Sequence, residues 1–239
     1  MTTNNRKDIT LTLPKQHVDQ RPDARHVETG NRRPLVLIDF DGVINQFPDE
    51  KVRRRQNSTA WMKPGDPRIP VYDPTNWFPP DHSRTVWAGN YHGNIHIHWA
   101  AQLVDRLREL DAEILWLSTW QPYTAALNLA LDVDWQTITW YDPITREGRY
   151  TGKRRSVISR LVLGRPIVWI DDEETTYDAG LAIQSSRPTA PVLGVGPHSD
   201  IGISRPQMDL IEQFVAAPPA EPTVRFEVTG NGHEGHWGF

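Results

Sequence analysis

The 239-residue chain contains no cysteine. Disulfides, thiolate nucleophiles and cysteine-ligated zinc are excluded on that ground alone. No run approaches the ~18 apolar residues of a membrane span, and Met1 to Asp8 lacks the apolar core of a secretory signal. The expectation is therefore a cytoplasmic protein with no membrane partner. Neither sign of charge dominates: 26 Lys and Arg stand against 30 Asp and Glu, a net charge of −4. That balance argues against sequence-independent duplex binding by the chain as a whole and leaves room for a local basic patch. Hydrophobic residues reach only 38%, so part of the length is expected to be arm, loop or tail. What is plentiful is proline (20), glycine (16) and tryptophan (10). The first two rule out a simple helical bundle, and the tryptophans fit either aromatic-lined pockets or a Trp-rich core.

Residues 1–33 are polar, with one apolar alternation over Ile9–Leu13, and read as an N-terminal arm. Order is expected from Leu35-Val36-Leu37-Ile38, a short apolar run suited to a strand buried on both faces. The same texture recurs at Ile114–Leu117, Ile167–Ile170 and Val192–Val195. Between these runs lie helical stripes: Ala100, Leu103, Val104, Leu107 and Leu110; then Ala125 to Leu131; then Val157, Ile158, Leu161 and Val162. A last stripe, Met208, Ile211 and Phe214, has Ser204 as its expected N-cap. Buried strands alternating with helices predict βαβ units, a parallel sheet and an α/β fold with helices on both faces. Two segments break the rhythm. Residues 45–96 hold seven of the 20 prolines and three of the ten tryptophans, and read as an insertion with structure of its own. Residues 215–239 read as a C-terminal tail in which Thr223–Val228 alternates like an edge strand. The domain proper is placed at 34–214. No internal repeat is present.

The first three strands each end in residues capable of chemistry. Leu35–Ile38 runs into Asp39-Phe40-Asp41-Gly42, Ile114–Leu117 into Ser118-Thr119, and Ile167–Ile170 into Asp171-Asp172-Glu173. In an open parallel sheet, ligands bind beyond the carboxyl ends of the strands, so the three groups are predicted to converge on one edge. Carboxylates gathered there need a partner, because unpaired buried charge is costly. Asp39, Asp41, Asp171 and Asp172 offer oxygen ligands only, and point to a hard cation, most simply Mg²⁺. Strand alternation turns Asp39 and Asp41 to the same side and Phe40 to the other, while Gly42 lets the chain leave the strand sharply. His92, His96 and His98 read as ordinary cap or helix-entry histidines in preference to a zinc cluster.

These residues resemble the haloacid dehalogenase (HAD) superfamily of phosphohydrolases. The resemblance rests on Leu-Ile-Asp39-Phe-Asp41-Gly42-Val43, on Ser118 after an apolar strand, on Lys153, and on the pair Asp171-Asp172. The order and the spacings of 79, 35 and 18 residues match, over roughly 34–214. Trp-Leu-Ser-Thr-Trp (116–120), Trp-Ile-Asp-Asp-Glu (169–173) and Gly202-Ile203-Ser204 are similar to the HAD domain of Swiss Army Knife RNA-repair-type proteins, although no Walker-type Gly-Lys-Ser/Thr accompanies them here. The resemblance implies a three-layer HAD-like Rossmannoid sandwich with a small cap, formed by 45–96, after the first strand. It implies Asp39 as a nucleophile forming an aspartyl-phosphate, Asp41 as general acid and base, and Ser118 as a hydrogen-bond donor to the phosphoryl group. Lys153 would stabilise developing charge. Asp39, the Asp41 backbone carbonyl and Asp171 would hold Mg²⁺, with Asp172 as a further ligand or as the group orienting Lys153. Thr119 is a rival to Ser118, and Arg154 and Arg155 are rivals to Lys153.

Gly42, Thr119, Arg53, Arg54 and Arg55 are the candidate substrate contacts. Trp61, Trp77 and Trp87 interleave with basic residues in the insertion, a pattern suited to unstacked bases and phosphates. The expected activity is phosphomonoester hydrolysis on a phosphorylated substrate, with an RNA or DNA end slightly ahead. A nucleotide or other small metabolite is the alternative, and an inactive scaffold that serves as a binding module is a third reading. Residue chemistry alone leaves hydrolysis and phosphotransfer open, along with the oligomeric state.

Overall fold

A computed structural model of the chain describes residues 33–141, 152–229 and 235–238. The arm with its Ile9–Leu13 alternation, and His233 in the tail, lie outside the described residues. Four apolar runs form strands as expected: β1 (Leu35–Ile38), β4 (Glu113–Trp116), β6 (Ile167–Ile170) and β7 (Val192–Gly196). With β5 (Gln136–Thr137), β8 (Val224–Val228) and β9 (Gly235–Gly238) they make a seven-stranded sheet in the order β5-β4-β1-β6-β7-β8-β9. The first six strands are parallel, and β9 runs antiparallel to β8. The chain therefore steps from β1 to β4 on one side and returns to β6 on the other. That makes the carboxyl end of β1 the topological switch point, where an α/β sheet opens a crevice.

Alternation along the strands sorts the helices into layers. Val36, Ile38, Ile114, Trp116, Val168 and Ile170 share one core with Leu103 and Leu107 of α4 (Ala101–Arg108), Leu127 of α5 (Thr124–Leu131) and Met208 and Ile211 of α8 (Arg205–Ala216). Leu35, Leu37, Ile167 and Trp169 share the other with Val157 of α6 (Gly152–Arg160) and Ala179 and Ile183 of α7 (Tyr177–Ser185). Both faces are covered, which is why these strands read as continuous apolar runs. Ser204 caps α8 as expected, in a reciprocal capping box with Gln207.

Three sequence readings change. After α6 the chain tightens into a 3₁₀ turn at Leu161–Leu163, so Val162 leaves the helical stripe and is 84% exposed. The segment read as tail begins inside α8 and supplies β8, whose Val224, Phe226 and Val228 are buried in the α6–α7 core. β8 is not the sheet edge, because β9 pairs along it.

The segment after β1 does have structure of its own, and it extends to Trp99. It carries α1 (Glu50–Arg54), α2 (Arg68–Val71) and a separate antiparallel pair, β2 (His82–Trp87) and β3 (Asn94–Trp99), joined through α3 (Gly89–His92). Val52, Met62, Tyr72 and Trp77 form a small core that also takes in Ile201, from the loop after β7. Trp77 is fully buried and donates its indole N–H to Gln46 Oε1 at 2.8 Å, so it is not a stacking platform. The inner face of the β2–β3 pair, Val86, Ile97 and Trp99, joins the main core. The segment is fastened to the loop before α8 as well: the Tyr72 hydroxyl donates to Asp200 at 3.0 Å, and the Arg205 amide to the Asn76 carbonyl at 2.8 Å. No helix among the described residues is long and apolar enough to cross a membrane.

Candidate active site

The site follows from the parity of the strands. Ile38 pairs with Ile170, so Asp39 and Asp171 leave the sheet side by side; the Asp39 amide donates to the Ile170 carbonyl at 2.9 Å. Both share the parity of Leu37 and Trp169, which face α6 and α7. α6 starts near this edge with Lys153 in its first turn. A lysine opposes the helix dipole at an N-terminus, so its stabilisation must come from neighbouring anions. Those anions are present: Lys153 Nζ is hydrogen-bonded to Asp39 Oδ2 and lies 2.8 Å from Asp171 Oδ2. All three side chains are buried, and Asp171 is wholly inaccessible. The remaining Asp171 oxygen accepts the backbone N–H groups of Glu173 and Glu174 at 3.1 and 2.7 Å.

Asp172 completes an acidic group in which Asp39, Asp171 and Asp172 each offer an oxygen within 4.8 Å of the others. Gly42 exists for this approach. Its φ is +65°, and a Cβ there would lie 2.0 Å from Asp172 Oδ2, so only glycine lets the turn after β1 sit against that carboxylate. Gly42 thus shapes the acidic pocket.

Burial and crowding of like charge perturb every member of this group whose shift is resolved. Burial pushes the Asp171 carboxyl up, with Lys153 opposing and Asp39 adding to the shift. Burial, then Asp39 and Glu173, push Asp172 up to about 7. Burial alone would pull Lys153 down, but Asp171 and Asp39 outweigh it and hold the ammonium above the ordinary lysine range. Among the described residues the group thus carries three carboxylates against one cation, and Lys153 is bonded to Asp39 and Asp171 and acts on Asp172 only weakly.

Asp41 stands apart from that group. Its carboxylate accepts Asn45 Nδ2 on one oxygen at 2.6 Å and Trp120 Nε1 on the other at 2.8 Å. Burial raises its pKa, the two donors pull the other way, and the result lies above the usual carboxylate range. The Asp41 side chain lies outside the acidic group and is already engaged by two donors, so the ligand expected of Asp41 is confined to its backbone carbonyl. Phe40 points away, fully buried, with its ring edge-on to Trp116 and Trp120.

Ser118 follows β4, next to β1, and is buried, with its Oγ accepting the Trp120 amide at 3.2 Å; Thr119 beside it is exposed. Lys153, and not Arg154 or Arg155, is the cation bonded to the aspartates. The alternative role given to Asp172, orienting Lys153, belongs to Asp171 and Asp39. Arg53, Arg54 and Arg55 do not point together as one patch. Arg53 leans on His98, Arg54 is paired with Glu50, and Arg55 lies 5.8 Å from the Trp61 ring. Their separation follows from α1, because successive helical residues point ~100° apart. His96 and His98 sit on a strand and not at a helix entry.

Two residues given no role from the sequence hold Asp41: Asn45, which no motif signals, and Trp120, which closes the Trp-Leu-Ser-Thr-Trp run. Asn45 lies four residues beyond Asp41 in a closed turn where the Gly42 amide donates to the Asn45 carbonyl at 2.9 Å. Trp120 follows Ser118-Thr119 directly, at the end of that run. No family model, curated protein or solved structure matches this chain.

Proposed function

We propose that this chain is a Mg²⁺-dependent phosphomonoester hydrolase of the HAD type, working through an aspartyl-phosphate. The observation that carries the reading is the Asp39–Lys153–Asp171 group, with Asp172 within 4.8 Å, at the carboxyl edge beside the switch point. The donor set fits a hard divalent cation: it is all oxygen and closely spaced, and burial, followed by the Asp39 and Glu173 charges beside it, pushes Asp172 up to about 7. Asp39, Asp171 and Asp172 would hold the ion. When bound, it offsets the repulsion between Asp39 and an incoming phosphate.

The chain's own residues divide the remaining work. An Asp39 oxygen attacks phosphorus while the bond to the leaving oxygen breaks. Asp41, whose raised pKa favours holding a proton, gives that proton to the departing alkoxide. Asp41 then takes a proton from water as the water oxygen attacks the phosphoryl group on Asp39, releasing inorganic phosphate and restoring the carboxylate. Lys153, hydrogen-bonded to Asp39, faces the charge that develops on the phosphoryl oxygens. Thr119, exposed beside buried Ser118, is the better placed of the two hydroxyls to donate to the substrate. The segment between β1 and α4 takes the part of the cap.

For the substrate, an RNA or DNA end remains the first reading. The burial of Trp77 and the pairing of Arg54 with Glu50 remove surface that a long strand would use, and favour a nucleotide as the second. The test is a phosphate-release screen with Mg²⁺ over sugar phosphates, nucleotides and end-phosphorylated oligonucleotides. Release abolished by Asp39→Asn and by EDTA, and restored by Mg²⁺, supports the proposal. No release from any class, with ligand binding intact, supports the inactive binding module instead.

A further inference from the structure

A second grouping of chemistry-bearing side chains adjoins the carboxyl edge. β2 and β3 pair so that Ser83 stands opposite His98, Thr85 opposite His96, and Trp87 opposite Asn94. Since Val86, Ile97 and Trp99 are buried, strand alternation turns these six residues to the opposite face. There the His96 and His98 rings meet edge to face at 4.6 Å, and the Thr85 hydroxyl lies 3.2 Å from His96 Nδ1. Arg53 Nη1 reaches His98 Nε2 at 3.4 Å. Burial, then His96 and Arg53, hold His98 below its usual range, so its neutral ring accepts from the guanidinium.

Arg53, unlike Arg54 beside it, is not engaged by a carboxylate among the described residues, and unlike Arg55, which lies by the Trp61 ring, it reaches His98 of β3. Arg54 meets Glu50, Arg68 meets Asp49 and Asp66, and Arg106 meets Asp209 and Glu212, but among the described residues Arg53 meets no carboxylate. A guanidinium has five donors in a planar fork, and one weak contact to an imidazole leaves most of them available to an anion. The grouping is tied to the reacting edge by one side chain: Asn45 donates to Asp41 at 2.6 Å and accepts the His98 amide at 2.9 Å. Trp87, 53% exposed, lies on the same face two residues from Thr85.

We infer that Arg53, His96 and His98 form a second anion site, which binds a second phosphate of the substrate one nucleoside unit away from the phosphate at Asp39, with a base against Trp87. The inference rests on the phosphatase reading and gives it a substrate class. A sugar monophosphate has neither a second phosphate nor a base and would use none of these groups. Two sources share the required chemistry: a free nucleoside 3′,5′-bisphosphate, and a nucleic-acid end whose next phosphodiester supplies the second anion.

The test compares kcat/KM of the full chain with Mg²⁺ for adenosine 3′-monophosphate, adenosine 5′-monophosphate, adenosine 3′,5′-bisphosphate and short oligonucleotides with a terminal 3′- or 5′-phosphate. The expected result is an advantage of at least about tenfold for the two-phosphate compounds, shrinking with added salt. Arg53→Ala and His98→Ala should each cut that advantage several-fold, and Arg54→Ala should not. An oligonucleotide ahead of the bisphosphate identifies a strand end, and parity identifies the free nucleotide. A second measurement avoids turnover: adenosine 3′,5′-bisphosphate binding to Asp39→Asn protein in EDTA, by calorimetry, should weaken about tenfold on adding Arg53→Ala. Phosphate release from monophosphates with no two-phosphate advantage, or an equal loss in Arg54→Ala, overturns the anion site and leaves the phosphatase reading intact. No release from any compound, with the Arg53-dependent binding present, overturns the phosphatase reading and leaves the anion site.

Discussion

Replacing Lys153 by methionine should destabilise the protein strongly, in a way that a divalent cation reverses. Methionine fills the same channel without the charge, so the change isolates electrostatics from packing. Lys153 is 6% exposed and its two partners are as buried, so no water replaces the lost ammonium. Removing one partner of a buried ion pair costs about 3–5 kcal/mol, because the remaining charge is left uncompensated. For a domain of this size each kcal/mol moves Tm by about 2–4 °C, so a fall of roughly 6–20 °C is expected in EDTA near neutral pH. Tryptophan fluorescence reads this directly, since Trp116 and Trp169 are fully buried in the two cores. Mg²⁺ at 100 times its Kd should return about 2.7 kcal/mol, and should stabilise the variant more than the wild type, since the variant's site is the more negative. Adding Asp39→Asn to Lys153→Met should also recover part of the loss, because the unpaired charge then disappears. A fall below about 2 °C, or a double variant no more stable than Lys153→Met alone, refutes the claim that Lys153 stabilises the site by countercharge.

Four further outcomes follow from the same geometry. Asp41→Asn should slow release of a poor leaving group by ~10²–10⁴-fold, the usual contribution of a positioned acid–base group. Trp120→Phe should cost less, about tenfold in kcat, by removing one of the two donors on Asp41; equal losses in steady-state kinetics would contradict this division. In EDTA, thermal stability should fall as pH rises from about 4 to about 7, because Asp172, raised to about 7, binds its proton more tightly folded than unfolded; Asp172→Asn should flatten that slope in a Tm-against-pH series. Gly42→Ala should lower Tm by several degrees and weaken Mg²⁺ binding in calorimetry, since its φ of +65° is strained for alanine and its Cβ would displace Asp172.

The sheet was legible where burial on both faces wrote itself as apolar runs, and the helices where one face met the core. β5 is two residues long and carries no such signature, and α7 has too little apolar contrast to read as a stripe. β8 was visible as an alternation, but its place depends on β9, whose Gly-His-Trp-Gly sequence has no strand signal and acquires its state only by pairing with β8. The 45–96 stretch was visible as a break in rhythm. Its tryptophans were ambiguous because an indole serves a small core as readily as a base, and the hydrogen bond from Trp77 to Gln46 that decides between them spans 31 residues.

Within the site, legibility tracks the distance between cause and sequence. Asp39 and Asp171 converge because two strands in register each end one residue earlier, which alternation alone predicts. Lys153 needed a helix to start at the same edge, and motif spacing carried that. The support for Asp41 depends on how a five-residue turn closes and on where an indole lands after β4, and neither has a periodic trace. The run Arg53-Arg54-Arg55 illustrates the opposite error. Adjacent like charges read as one patch, yet a single helical turn sends them to a histidine, a glutamate and a tryptophan. Of the three, Arg53 is the one in contact with the strand that Asn45 ties to Asp41, so under the proposed second anion site one position in that run, and not the charge total, would bear on substrate choice.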